Sequence, residues 1–147
     1  MRRCGMSLGA DELRAVIASQ PLPACAELTP FEVLDVDEDQ GRVRVQFAPQ
    51  PAFGNHFGNV QGGFVVAMLD APLSLAVFVK TKRFLPTIEI KTSFVWPARI
   101  GVCIGEGVVV RAGASLVFAE ARLWSSDGTL AAHATATSLA ATGGADR

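Results

Sequence analysis

A chain of 147 residues and 15.5 kDa fits one domain of common size. Half of its residues are hydrophobic and only 18% are charged, which argues against disorder. The net charge of −1, with Lys and Arg scattered along the chain, disfavours a nucleic-acid partner, because such domains show a basic patch or stripe. High apolar content with little charge points to more burial than one small domain needs, and hence to oligomerisation. Cys4, Cys25 and Cys103 form an odd set with no CxxC motif and no Cys/His cluster. Neither a zinc site nor a disulfide scaffold is expected, and the default setting is a reducing, cytoplasmic one.

The start, MRRCGMSLGADELR, is basic but lacks the apolar core of a signal peptide. DELRAVIA, residues 11 to 18, predicts a short amphipathic helix with Leu13, Val16 and Ile17 on one face. Pro21, Pro23 and Pro30 then break any helix. FEVLDVDEDQGRVRVQF predicts a hairpin turning around Asp39 to Gly41, with Val43, Val45 and Phe47 alternating against Arg42, Arg44 and Gln46. A loop rich in Pro, Gly and Asn follows, APQPAFGNHFGNVQ.

The run from Phe64 to Val79 is apolar almost throughout and lacks period-2 alternation. It is too long for an ordinary strand and predicts a buried helix of about 24 Å. A membrane span is disfavoured by its length, by Asp70 and Pro72, and by the strand-like sequence after it. Asp70 and Ser74 are its only polar members and share a face at i,i+4. Pro72 should remove one helical bond and kink the helix just after Asp70. Four strands are expected next: TIEIKTSFVW, with Ile88, Ile90, Phe94 and Trp96 on one face; GVCIGEGVVVR; SLVFAEARLW; and, after the turn signal SSDG, TLAAHATATSLA despite its alanines. The tail TGGADR is expected to fray. The whole predicts an α+β fold in which an antiparallel sheet of about six strands wraps one long central helix. No internal repeat or linker divides the chain.

The segments NHFGNVQGG, Asp70, TxxxxxSFxxPARIG and DGTLAAHATAT resemble the hotdog-fold acyl-CoA thioesterases of the PaaI-like group, within the 4-hydroxybenzoyl-CoA thioesterase superfamily, over roughly residues 25 to 140. The family pattern is N-x-x-G-x-x-H-G-G, then an acid, then a Ser or Thr near a strand start. Asn55, Gly58, Gly62, Gly63, Asp70 and Thr87 fall on those positions. Where the family usually has His, this chain has Gln61, which can orient a neighbour but cannot take up a proton at neutral pH.

The resemblance implies a single, homo-oligomeric hotdog domain that hydrolyses an acyl-CoA without metal or redox cofactor; the family pairs its sheets into dimers and often pairs the dimers, so a dimer or a dimer of dimers is expected. Asp70 would act as general base on water or attack the carbonyl directly. Otherwise it is a buried structural acid bonded to backbone or to Ser74, or a surface residue at a kink. The N–H of Gly62 or Gly63 would be the oxyanion donor, since a helix start presents free N–H groups and glycine permits close approach. A plain loop-to-helix turn explains the same pair. Asn55 would help to place the thioester or water, and Thr87 to hold the water, against ordinary turn and strand roles. Ser74, Gln61 and His56 are candidates for a supporting layer. Lys80, Lys82, Arg83 and Arg111 could meet CoA phosphates, or simply form solvated ends. His133, among small strand residues, is read as solvated or satisfied. The rivals are a hotdog 3-hydroxyacyl dehydratase, for which NHF supplies a His, and a non-catalytic acyl-CoA-binding module in which Gln61 marks decayed catalysis.

Overall fold

The computed structural model describes residues 8–48 and 50–141. The expectations that fall on Cys4, the basic start and the tail lie outside the described residues, apart from the first residues of the helix. Helix α1 (Ala10–Ser19) buries Leu13 completely and half-buries Val16 and Ile17. Glu12 accepts a hydrogen bond from the Gly9 N–H at 3.1 Å, and Asp11 and Glu12 both lie in the first turn, where the helix dipole favours acids. The proline-rich segment after it holds a 3-10 turn, Ala24–Glu27, which the prolines gave no hint of. Strands β1 (Phe31–Asp37) and β2 (Arg42–Phe47) form the predicted hairpin. Gly41 takes φ +59° at its turn, a conformation that favours glycine.

The long helix α2 (Gly62–Thr81) begins two residues earlier and ends two later than the apolar run implies. Strands β3 (Thr87–Phe94), β4 (Cys103–Ala112), β5 (Leu116–Trp124) and β6 (Leu130–Leu139) complete one six-stranded sheet in the order β1-β2-β4-β5-β6-β3, antiparallel throughout. This is the hotdog arrangement that the sequence resemblance implies. By length and composition α2 could cross a membrane, with mean hydropathy 1.9, but here it packs against β2, β4 and β5 as the core helix.

The floor beneath α2 explains the unusual composition of the strands. Val43 lies opposite Gly107, Gly107 opposite Ala121, and Ala121 opposite Ala134, so one row across the sheet consists mostly of Gly and Ala. All of these residues are buried. A Cβ on Gly107 would lie 2.1 Å from the carbonyl oxygen of Pro72, so the helix backbone rests directly on the strand there. A Cβ on Gly105 would meet the Phe47 ring at 3.0 Å and the Pro72 ring at 3.2 Å. The alanines of β6 and the glycines of β4 are thus the residues that let the helix approach the sheet. Low β-propensity is overridden by packing. Helix α2 is continuous through Pro72, although proline removes the bond to the Met68 carbonyl.

The two sheet edges differ. The outer edge of β1 is covered by α1, whose Arg14 donates from Nε and Nη2 to the Val33 carbonyl at 3.2 and 2.6 Å. The outer edge of β3 pairs with no other strand among the described residues. Of the apolar face expected on this strand, only Ile90 packs against the core, whereas Ile88, Phe94 and Trp96 are 57, 58 and 57% exposed.

Candidate active site

The loop from Phe53 to Gln61 is a fixed platform. The Asn55 N–H donates to the Asn59 carbonyl at 2.7 Å, the Gln61 N–H to the Phe53 carbonyl at 2.8 Å, and the Val60 N–H to the Ala98 carbonyl at 2.8 Å. Gly58 takes φ +77° to close the turn. Phe53 stacks on Phe64 with ring centres 3.9 Å apart, tying the loop to the first turn of α2. Asn55 Oδ1 accepts from the N–H groups of Phe57 and Asn59 at 2.9 and 3.2 Å. Gln61 is the N-cap of α2, and its Oε1 accepts from the Gly63 N–H at 2.7 Å. Of the two glycine N–H groups expected as oxyanion donors, that of Gly63 is therefore engaged. The N–H of Gly62 has no acceptor among the described residues.

A cavity of about 400 Å³ opens at this helix end, lined by Asn55, Phe57, Gly62, Val65, Phe94 and Trp96 among others. A Cβ on Gly62 would meet the Phe94 ring at 3.2 Å. The aromatic wall of Phe94 and Trp96 was not among the expected site residues; its signal is the pair of large apolar side chains at the exposed end of β3. A larger groove, about 520 Å³, lies between α1, the first 3-10 turn and β1, and holds none of the expected site residues.

Asp70 does not line the 400 Å³ cavity. It lies eight residues into α2, about 12 Å along the axis from Gly62 at 1.5 Å per residue. Its side chain is half-buried, and Oδ1 is buried without a hydrogen-bond partner. Burial pushes its carboxyl above the ordinary value of 3.8. Ser74 shares its face but makes no hydrogen bond to it among the described residues. Asp70 is therefore not a structural acid satisfied by backbone or by Ser74. Thr87 is exposed at the start of β3, opposite Ser138. From Thr87 to Phe94, which touches Gly62, the strand spans about 24 Å. Within one chain the expected residues thus separate into the platform of Asn55, Gln61 and Gly62, then Asp70, then Thr87.

The remaining candidates stand elsewhere. His56 is exposed, its ring 4.0 Å from that of Phe57. His133 Nε2 lies 3.4 Å from Glu120 on the face of the sheet away from α2. Lys80 donates to the Asp39 carbonyl, Lys82 pairs with Glu38 at 2.6 Å, and Arg83 donates to the Ala140 carbonyl, so all three have partners in the fold. Arg111 is exposed near the end of β4. No group of three or more His, Cys, Asp or Glu side chains suited to a metal occurs among the described residues.

A long helix laid across an antiparallel sheet, with an acid inside the helix and an amide platform at its start, defines the class as a hotdog-fold protein. The sequence model of the thioesterase superfamily matches residues 57–132, and the chain belongs to that family. Among solved structures, it is 31% identical to a phenylacetic acid degradation-related protein of Ralstonia eutropha, with a TM-score of 0.77 and coverage of 86% of this chain and 96% of the other. The E. coli PaaI protein from the phenylacetic acid degradation operon shares the fold at TM-score 0.77 and 16% identity, covering 95% of this chain and 98% of the other. A Streptococcus mutans protein bound to acetyl CoA aligns at TM-score 0.67 and 17% identity, covering 74 and 86%. No curated protein matches the chain.

Proposed function

We propose that the protein hydrolyses an acyl-CoA thioester to the free acid and CoA, with Asp70 as the base or nucleophile. The observation that carries this reading is Asp70 itself. A carboxylate oxygen buried without a partner in the core helix is costly for the fold, and such a group is kept where chemistry uses it. Membership of the thioesterase superfamily and the acetyl-CoA complex of the Streptococcus mutans neighbour support the substrate class.

In the base-assisted form of the reaction, water adds its oxygen to the thioester carbon and passes a proton to Asp70. The carbonyl electron pair moves to oxygen, to which Asn55 Nδ2 and the Gly62 N–H donate hydrogen bonds. The pair then returns, the C–S bond breaks, and the proton goes from Asp70 to the departing sulfur. A raised carboxyl suits both the uptake and the return of that proton. In the nucleophilic form, the Asp70 carboxylate adds to the carbon and the C–S bond breaks with CoA leaving as the thiolate; water then hydrolyses the resulting anhydride, which frees the acid, restores Asp70 and supplies the proton that the thiolate takes up. Thr87 holds the attacking water in either form.

The site is shared between two subunits. One thioester carbon must lie about 3 Å from both its attacking group and its oxyanion donors. The 12 Å between Gly62 and Asp70, and the 24 Å between Phe94 and Thr87, prevent one chain from meeting that condition. Antiparallel pairing of two β3 edges puts the Thr87 end of one strand beside the Phe94 end of the other, and two-fold symmetry sets the middle of one α2 beside the start of its partner. The β3 edge, which pairs with no other strand among the described residues and exposes Ile88 and Phe94, is the surface available for this pairing.

The test is free-thiol release from a panel of acyl-CoA substrates. Release from at least one member, abolished in Asp70→Asn, is expected. A change in enoyl absorbance without thiol release would instead identify a dehydratase, and binding without turnover a carrier module.

A further inference from the structure

Two side-chain amides stand at the start of α2, and the backbone holds both in the same way. The Asn55 oxygen takes two N–H groups and the Gln61 oxygen takes one. Only the oxygen of an amide accepts, so these bonds settle which way round each group stands. Each NH₂ is left without an acceptor among the described residues. The resemblance already gives the Asn55 position a role, but nothing assigns one to a glutamine at position 61.

We propose that Gln61 Nε2 donates a further hydrogen bond to the thioester oxygen as negative charge develops there, beside Asn55 Nδ2 and the Gly62 N–H; the proposal rests on the hydrolase reading above. Helix stability alone does not account for glutamine at this place. Ser, Thr, Asp and Asn are the favoured N-caps, and any of them would satisfy the Gly63 N–H. What glutamine adds is a longer amide whose free end carries two donors. By engaging the Gly63 N–H, Gln61 withdraws one of the two glycine donors at the helix end, and its own NH₂ replaces what it removes. The replacement carries no titratable proton, so its contribution is constant with pH, unlike that of a histidine.

Gln61→Ser and Gln61→Glu separate donation from capping. Both keep an acceptor for the Gly63 N–H, and neither places an amide NH₂ at the site. Glutamate also carries a charge that the helix start favours. With an acyl-CoA that the wild-type protein hydrolyses, both variants should retain the melting temperature. Their kcat should fall about a hundredfold, the lower end for losing one oxyanion donor, with little change in KM. Wild-type kcat in Gln61→Ser overturns the proposal and leaves the hydrolase reading intact. The infrared carbonyl stretch of a ¹³C-labelled acyl-CoA bound to Asp70→Asn gives a readout that needs no turnover. Adding Gln61→Ser should move the stretch to higher wavenumber. An unchanged stretch, or the absence of a bound carbonyl, overturns the proposal even if the wild-type protein proves inactive.

Discussion

At the scale of single residues, Asp70 links stability to activity. Folding raises the proton affinity of its carboxyl, so ionisation at neutral pH works against the native state. That penalty is absent below 3.8 and in full force once the pH exceeds the raised folded-state value. Asp70→Asn has no charge to desolvate. It should therefore melt higher than the wild-type protein at pH 7, and the gap should narrow as the pH falls towards 3.8. Thermal melts of the two proteins across this range check it, and a variant that melts lower at pH 7 contradicts it. The same substitution should reduce kcat at least about a hundredfold by removing the base. In the wild-type protein, kcat should fall on the acid side as Asp70 protonates, with the midpoint above 3.8. A rate that holds down to pH 3.8 would show that the ionised carboxylate is not required.

At the scale of elements, the contact between α2 and β4 is where the fold tolerates least. A methyl group on Gly107 would lie 2.1 Å from backbone, which cannot move away as a side chain can. One on Gly105 meets only side-chain atoms, at 3.0 Å and beyond. Gly107→Ala should cost about 3 kcal/mol or prevent folding, and Gly105→Ala less, in the overpacking range of about 1–3 kcal/mol. Denaturant melts of both variants give the ranking, and the reverse order would mean that α2 does not rest on β4 at Gly107. Most of this architecture was legible in the sequence, because periodicity marks α1, the first hairpin and the long apolar helix. The alanines of β6 were assigned to a strand against their propensity. The physical reason for them, a helix resting on small side chains, emerges only when distant strands come into register. The role of Gly107 was hidden for the same reason. At the site, the spacing of Asn55, Gly62 and Asp70 could be read directly. The engagement of the Gly63 N–H by Gln61 could not, since it depends on one side-chain rotamer. Nor could the aromatic wall of Phe94 and Trp96, because alternation alone placed those residues on a face expected to be covered.

For the whole molecule, the contrast between its two edges organises the account. One is covered by α1 and tied by Arg14; the other presents β3 with large apolar side chains on view. An edge of that kind invites pairing. Pairing through β3 would also unite residues that the single chain keeps apart. The most direct measurement of that claim is the activity recovered when Asn55→Ala and Asp70→Asn chains are co-expressed. In either homodimer both sites carry a defect. In a mixed dimer one site collects both defects and the other carries none. Random pairing makes half of the dimers mixed, and half of their sites are intact. Thiol release from a mixture of two nearly inactive variants should therefore recover to about a quarter of the wild-type rate. If the mixture is no more active than the separate variants, Asn55 and Asp70 act within one chain, and the shared site is wrong.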